Sequence, residues 1–445
     1  MTHKIPSTTL KTKDSHLDLS NSCVARGEIA AAIQHLHQAL RLNPQFPEAY
    51  NNLGRLLYKQ AQFKEAAFYL AKALRIKPQY WEAHYNMAHC LVKQNQLIDA
   101  ATHYLEVIKI IPTHTNAHFN LGFIYLDEEN YPLAEKHFNE VIAIEPDNLE
   151  ALRQLGFISI QLGKPDTAVT ILQKAISLCP SLSDAHHNLA ILYLRQENRT
   201  DALRHFQTAL ELDPNNTTAS HMVSALTGNS SLTAPPEYIR QLFDQYAADY
   251  DTQMKTALNY QAPFALRSAI GCLLGEKLKP GRVLDLGCGT GLVGVYCRDL
   301  ALELVGVDIS EKMLEKAKEL MAYESLVNSD ITAYLEKKDI LPFDLIIASD
   351  VLVYYGSLDF LFSLISTQLS FDGLFAFTTE ILTVDQDYQL QSTGRFAHSE
   401  AYLLTLAAKY ALSVRYHDTL TIREQNGHAI QGQLFILQNV GKKLC

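Results

Sequence analysis

The chain has 445 residues, 47% hydrophobic and 19% charged, a globular composition too long for one ordinary core, so about two to three domains are expected. Its net charge of -10 excludes a surface that holds nucleic-acid phosphates or anionic lipid by bulk electrostatics. Met1 to Asp14 lacks the apolar core of a signal peptide, and no run of about 18 apolar residues occurs, so a soluble chain is expected with no membrane or nucleic-acid partner.

Seven cysteines, at 23, 90, 179, 272, 288, 297 and 445, form no CxxC pair and no His-flanked pattern. This predicts neither a metal site nor a disulfide framework, and points to reduced thiols in a cytoplasm. Residues 1–12 are polar and expected to be disordered.

From Lys13 to Asn216 the chain repeats. Prolines stand at 44, 78, 112, 146, 180 and 214, each 34 residues after the last, the period of stacked helix-turn-helix units. A small residue recurs in the first helix as Ser20, Gly54, Ala88, Gly122, Gly156 and Ala190, and an alanine in the second as Ala32, Ala66, Ala100, Ala134, Ala168 and Ala202. Small residues at close helix crossings, with leucines and aromatics between them, let each unit bury its face against the next. Proline then stops the second helix, since it lacks the amide proton. The array resembles tetratricopeptide repeats, here six of them, which implies an α-solenoid superhelix with a concave groove for a protein or peptide partner.

At one position of successive units stand Asp18, Asn52, Asn86, Asn120, Gln154 and Asn188. Asn52, Asn86, Asn120 and Asn188 each offer a donor and an acceptor, so the column could bond a peptide backbone without reading its sequence. Equally, Asn is common at this position in such repeats even where no peptide is known to bind. His84, His118 and His186 read as packed or hydrogen-bonded residues, not metal ligands.

Thr217 to Thr227 is predicted to cap the array as one more helix, and the turn-rich stretch to Pro235 to be a short linker. The region 217–235 thus separates repeats at 13–216 from a domain at 236–445. A helix follows Pro236 and carries Phe243 to Asp251. Apolar runs at 282–287, 303–308, 325–330, 343–349 and 374–379 alternate with amphipathic stretches, which predicts a doubly wound parallel sheet. Two later strands, 412–422 and 430–438, joined through Asn426-Gly427, complete it as a hairpin.

Asp285-Leu286-Gly287-Cys288-Gly289-Thr290-Gly291 lies between the first strand and a helix, where glycines let the backbone turn sharply and approach a ligand. Cys288 reads as a small residue beside that ligand. Gly289 to Gly294 satisfies GxGxxG, so a dinucleotide is one candidate. Asp285 at the strand end would repel a pyrophosphate and suits a ligand with an ammonium and a sulfonium. Asp308 ends the second strand, where a carboxylate can accept ribose hydroxyl protons, and Asp330-Ile331 ends the third, suited to an adenine. The balance points to S-adenosyl-L-methionine.

Together with Ala348-Ser349-Asp350-Val351-Leu352, these positions resemble the class I S-adenosylmethionine-dependent methyltransferases over about 200 residues. The whole chain is similar to the predicted methyltransferases that carry tetratricopeptide repeats, through Phe243 to Asp251, Leu258-Asn259-Tyr260, Asp350 to Gly356 and Gly394 to Ser399. The resemblance implies a Rossmann-like seven-stranded domain whose cofactor site is lined by Tyr246, Asp285, Gly287, Gly289, Gly291, Asp308, Ile309, Asp330 and Asp350, with Tyr250 beside Tyr246. Both tyrosines could instead be ordinary helix packing.

On the acceptor side the candidates are Tyr354, Tyr355, Glu380, Arg395 and His398. His398 is the candidate general base, although a lone histidine is more often structural, Tyr354 is a second catalytic candidate, and Arg395 is either a clamp for an acidic substrate or, equally, a surface charge. An Asn-Pro-Pro-Tyr type sequence is absent after the fourth strand, which leans away from methylation of nucleobase or glutamine amino groups and toward a carboxylate, hydroxyl or other small acceptor. Three functions stay open: a methyltransferase whose repeats recruit a protein or carrier-bound substrate, one acting on a free small molecule with the repeats used for assembly, and a non-catalytic scaffold.

Overall fold

The structure, a computed structural model, describes residues 12–229, 231–247, 250, 260–275, 281–425 and 428–441. Of residues 1–12, expected to be disordered, all but Thr12 lie outside the described residues, as do the Asn426-Gly427 turn and Leu258-Asn259. Contacts divide the chain into two compact units, Met1–Leu192 and Tyr193–Cys445.

Twelve helices run from α1 (Lys13–Ala25) to α12 (Arg199–Leu212), two to each repeat. The alanines at 32, 66, 100, 134, 168 and 202 are fully buried. A side chain at Gly54 would meet Leu70 Cγ at 2.5 Å, and one at Gly122 would meet the Phe138 ring at 2.8 Å. The small residues are therefore required by helix contact distance. Between paired helices the chain passes through a left-handed residue at 27, 61, 95, 129, 163 and 197, a glycine only at Gly27 and Gly163.

The histidines make a repeated bond within the first unit. His84 Nδ1 lies 2.8 Å from His103 Nδ1, His118 Nδ1 3.0 Å from His137 Nδ1, and His16 Nδ1 3.2 Å from His35 Nδ1. His84 and His118 each donate their other N–H, at 2.9 Å, to the carbonyl of Pro78 or Pro112.

In the second unit, α13 (Thr217–Thr227) is the expected extra helix, and α14 (Pro236–Tyr246) follows it. Nine strands form one sheet among the described residues: β1 (Arg282–Leu286), β2 (Glu303–Asp308), β3 (Ser325–Asn328), β4 (Phe343–Ala348), β5 (Leu369–Ile381), β6 (Tyr388–Leu390), β7 (Phe396–His398), β8 (Leu412–Gln425) and β9 (His428–Asn439). β3, β2, β1, β4 and β5 are parallel in that order, β9 pairs antiparallel with β5, and β8 pairs with β9. The short β6 and β7, attached to the C-terminal end of β5, add to the seven strands expected.

Val283, Leu345, Ile347, Ala376 and Ile436 pack with Leu266 and Ile270 of the helix Ala262–Leu274 as the core of one face. β1 has β2 on one side and β4 on the other, so the strand order reverses there and a crevice opens beyond the strand ends, the usual ligand position in such sheets.

The short linker stretch makes backbone hydrogen bonds to residues 354–357. Leu232 accepts the amide protons of Gly356 and Ser357, both at 2.9 Å, and Ala234 donates its own to the Tyr354 carbonyl at 2.8 Å. By contacts the two compact units part at Leu192–Tyr193, inside the sixth repeat.

Candidate active site

β1 delivers the glycine turn. Gly287, Gly289 and Gly291 have φ of 65°, 53° and 92°, the left-handed region that glycine enters without cost. The turn is pinned to β2: the amides of Gly287 and Cys288 donate to Val307 O at 2.8 and 3.1 Å. A Cβ at Gly287 would meet Val351 Cγ2 at 2.4 Å, whereas one at Gly289 meets nothing within 4 Å. Gly289 therefore borders open space.

That space is a cleft of about 590 Å³ including its mouth, lined by Gly287, Gly289, Asp308, Ile309, Asp330, Ile331, Ser349, Asp350, Val351, Tyr354 and Tyr355 of the sheet end and by Ile239, Phe243 and Tyr250. Six of the nine proposed cofactor residues meet there: Gly287, Gly289, Asp308, Ile309, Asp330 and Asp350. Asp308 accepts the Gly289 amide on Oδ2 and the Ser310 amide on Oδ1, both at 2.8 Å. Each oxygen keeps a lone pair for a ligand hydroxyl. Burial raises the Asp308 pKa, against the pull of these backbone amides. Asp330 caps the helix Ile331–Leu335 through Oδ1, bonding the Thr332 and Ala333 amides at 2.9 and 3.1 Å. Its Oδ2 takes no part in the cap. Ser310 Oγ donates to Asp244 Oδ1 at 2.6 Å, which docks α14 against the end of β2.

Asp285 and Gly291 do not line the cleft. Asp285 is fully buried behind the turn, because its place on β1 points it into the sheet-helix layer. Tyr323 donates to Asp285 Oδ2 at 2.7 Å and accepts the Gly294 amide at 3.1 Å, while Asp285 Oδ1 has no partner. Burial pushes this carboxyl up to about 7, partly offset by the Tyr323 bond. Gly291 faces Tyr323 and Ala317, where a Cβ would come within 3.2–3.3 Å. Both residues shape the turn from behind. Tyr246 ends α14, and its side chain lies outside those described.

Two acceptor-side candidates, His398 and Arg395, are engaged by partners within the protein. His398 is fully buried. Its Nε2–H donates to the carbonyls of Tyr355 and Gly356 at 2.8 and 3.1 Å, and Nδ1 lies 2.7 Å from the Thr379 hydroxyl. Burial lowers its pKa to about 4. With both nitrogens engaged and no face on the cleft, it is a structural imidazole, and the general-base role does not fall to it. Arg395 is likewise spent. It donates from Nε to Glu380 at 2.8 Å, from Nη1 to Tyr354 Oη at 3.1 Å, and from Nη2 to Asp350. It builds the wall in place of clamping a substrate acid.

Arg423 joins the same group, donating to Glu380 at 2.7 Å and to Asp350 at 3.3 Å. Two guanidiniums thus balance two carboxylates in one buried cluster. Burial pushes the Glu380 pKa up, but Arg395 and Arg423 together hold it below the usual value. Asp350 sits at φ 58°, an uncommon conformation for a residue with a side chain, and the two arginines keep its carboxylate in place. Tyr354 lines the cleft with its hydroxyl pKa raised by burial. Tyr260 bonds Ser349 Oγ at 2.8 Å from beside it.

Arg423, Tyr323 and Ile239 were not singled out by the sequence. Arg423 reaches the cluster only because β8 lies two strands from β5, a relation no local spacing carries. Of the amide column, Asn86 donates to Asn51 at 2.8 Å, so part of it is used between repeats.

Comparison with known proteins agrees with this architecture. Residues 278–428 match a methyltransferase-domain family model, and residues 21–61, 57–121, 115–148 and 147–215 match tetratricopeptide-repeat models. A malonyl-[acyl-carrier protein] O-methyltransferase of Legionella pneumophila is 29% identical over 180 residues, covering 37% of this chain and 57% of that protein. Its namesake from Geobacter sulfurreducens is 28% identical over 143 residues, covering 31% and 51%. The chain thus spans about half the length of these relatives. A solved tetratricopeptide-repeat protein, YrrB, is 22% identical with a TM-score of 0.40, over 42% of this chain and 96% of that one. The chain carries an array of tetratricopeptide repeats followed by a methyltransferase domain.

Proposed function

We propose that the C-terminal domain transfers a methyl group from S-adenosyl-L-methionine to an acceptor on a protein or carrier that the repeats recruit, acting in the cytoplasm. The observation that carries this is the Asp308 carboxylate on the cleft wall, held by the Gly289 and Ser310 amides. A carboxylate fixed in this way beside a glycine turn suits a pair of vicinal hydroxyls. Asp330 and Ile331 would take an adenine amino group and ring face, and the open space at Gly289 admits a ligand against the backbone. The residues present therefore fit the cofactor, which when bound supplies a methyl group activated on a sulfonium.

What remains for the protein is alignment and exclusion of water, since displacement at a methyl carbon depends on an in-line approach. Ile239, Phe243, Tyr250 and Tyr355 enclose the cleft with apolar surface. Tyr354, fixed by Arg395, and Asp350, fixed by both arginines, present polar groups to the acceptor. With His398 withdrawn into the core, an acceptor already ionised, such as a carboxylate, needs no base. The malonyl-carrier activity named for the relatives is of this kind.

The test is calorimetry of S-adenosylhomocysteine with the full chain and with Asp308→Ala, followed by transfer of labelled methyl in a lysate of the native host. One-to-one binding lost in the variant, with label entering macromolecules, is expected. A free small-molecule acceptor is the second reading, favoured by the use of Asn86 between repeats, and it puts label in the small-molecule fraction instead. No binding to the wild type would leave a non-catalytic scaffold.

A further inference from the structure

The helix that follows the last repeat packs against the 394 turn and against α14, which carries Ile239 and Phe243 of the cleft lining. His221 of α13 donates from Nε2 to the Gly394 carbonyl at 2.9 Å, and its ring lies 4.6 Å from that of Tyr238 in α14. Thr218 Oγ1 donates to Gln241 Oε1 at 3.1 Å. Gly394 is in a left-handed turn, φ 79°, so close to both helices that a Cβ would lie 2.7 Å from Tyr238 Oη and 3.0 Å from Met222 Sδ. The turn therefore sits directly on α13 and α14.

The next residue is Arg395, which holds Glu380, Asp350 and Tyr354. Tyr354 is also held from its other end: Ala234 N–H and Thr233 Oγ1 both donate to its carbonyl, at 2.8 and 3.2 Å. Its backbone and its hydroxyl are thus both fixed by ties that lead back to residues between Thr217 and Ala234.

The identity of residue 221 is itself informative. It is almost fully buried, and its Nδ1 has no hydrogen-bond partner. A buried polar atom left unpaired costs about 1–3 kcal/mol, so an aliphatic side chain would pack there more favourably. What only the imidazole supplies is the N–H that meets the Gly394 carbonyl.

We propose that His221 is a positioning residue for the acceptor-side wall: by fixing the Gly394 turn it sets Arg395, and through Arg395 it sets Asp350 and Tyr354. The proposal rests on the reading of the cleft as a methyl-transfer site, but its physical content is separately measurable. Asp308 and Asp330, expected to hold the cofactor's ribose and adenine, make no direct bond to His221, Gly394 or Arg395, and of the expected cofactor residues the strut reaches Asp350 through Arg395.

The experiment compares the full-length wild type with His221→Met, which has similar bulk and no donor, and with His221→Gln, which restores a donor. Hydrogen exchange is followed in peptides covering 352–358 and 388–398, with 282–286 as the control for an intact fold, and S-adenosylhomocysteine affinity is measured alongside. In His221→Met, exchange at 352–358 and 388–398 rises about tenfold or more, strand 282–286 is unchanged, and His221→Gln returns both segments toward wild type. S-adenosylhomocysteine affinity stays within about threefold in all three proteins, since loss of one remote hydrogen bond leaves the ligand's own contacts intact. Wild-type exchange at 352–358 in His221→Met, or no rescue by glutamine, overturns the proposal. Should His221→Met lose protection at 282–286, His221→Leu replaces it as the donorless variant. Failure of the wild type to bind S-adenosylhomocysteine would sink the methyl-transfer reading and leave the exchange result to decide the strut.

Discussion

Asp285→Asn offers the sharpest trial of the physics behind the glycine turn. The carboxyl is fully buried, has one hydrogen bond from Tyr323 at 2.7 Å, and leaves Oδ1 without a partner. Its pKa is raised from 3.8 to about 7, so the folded domain holds the proton more tightly than the unfolded chain does. The stability this group contributes is fully present below about pH 4 and is lost progressively as pH rises to about 7. The loss amounts to about 4 kcal/mol at pH 8. Asparagine removes the charge but places an amide N–H where no acceptor stands, a cost of about 1–3 kcal/mol. Asp285→Asn should therefore stabilise the domain at pH 8 by roughly 1–3 kcal/mol, or about 5 °C in a domain of this size. Below pH 5 the advantage should vanish or reverse. The assay is thermal unfolding from pH 5 to 8, following the transition that S-adenosylhomocysteine raises. An unchanged melting temperature at pH 8, or a gap that does not close with falling pH, would refute the reasoning. If the proposed ligand's ammonium lies over the turn, the variant gains stability and loses affinity together, as expected where a buried charge is kept for binding.

Three further outcomes are expected. Gly289→Ala places a methyl group in open space at a backbone φ of 53°, so the fold should lose only about 1–2 kcal/mol while S-adenosylhomocysteine affinity falls at least tenfold; equal affinity in calorimetry would show that the turn is not the ligand seat. Arg423→Met leaves Asp350 and Glu380 sharing one guanidinium, and breaking a buried pair in this way costs about 3–5 kcal/mol, readable as a drop in the domain's urea midpoint; Arg423→Lys should recover part of it. In the array, the His137 pKa is pushed down to about 4 by burial and then by His118, so stability should fall as pH drops from about 6.5 toward 4. Replacing the pair by the residues the next repeat has there, as His118→Leu with His137→Ile after Leu152 and Ile171, should flatten that slope in urea titrations followed by circular dichroism.

The parts of the fold that were legible in the sequence are those where geometry admits few residue types. The prolines marked the repeat because each one stops a helix, and Gly54, Gly122 and Gly156 marked the crossings because Leu70, Phe138 and Leu172 leave no room for a Cβ. The left-handed positions between paired helices were not legible beyond Gly27 and Gly163, since Ala61, Asn95, Glu129 and Glu197 accept the same φ at modest strain. In the second unit the strand-end acids 308, 330 and 350 could be placed by order alone. The fates of His398 and Arg395 could not, because they depend on Thr379, Glu380 and Asp350, brought near only by the pairing of distant strands. β6 and β7, three residues each, are too short to show an alternation. The stretch after α13 read as linker from its Pro and Ser content, yet its backbone groups found partners at 354–357.

The choice between cofactors can be argued again from the charge on the wall. Three carboxylates, Asp308, Asp330 and Asp350, face the cleft, and among the described residues lining it none is a Lys, Arg or His. The nearby cations, Arg395 and Arg423, are balanced by Asp350 and Glu380. Asp308 and Asp330 are thus left as uncompensated negative charge where a ligand would lie. A pyrophosphate brought there would meet like charge in a site with limited water, a cost that a glycine turn's amides would have to overcome. A ligand bearing an ammonium and a sulfonium meets opposite charge instead. The GxGxxG pattern alone admits both ligands, and it is the wall opposite the glycines that separates them. If this is right, a large excess of an oxidised dinucleotide should leave S-adenosylhomocysteine binding unchanged, and raising the ionic strength should weaken that binding only slightly, since Asp308 is buried and Asp330 partly so. Displacement by the dinucleotide would return the turn to its older role.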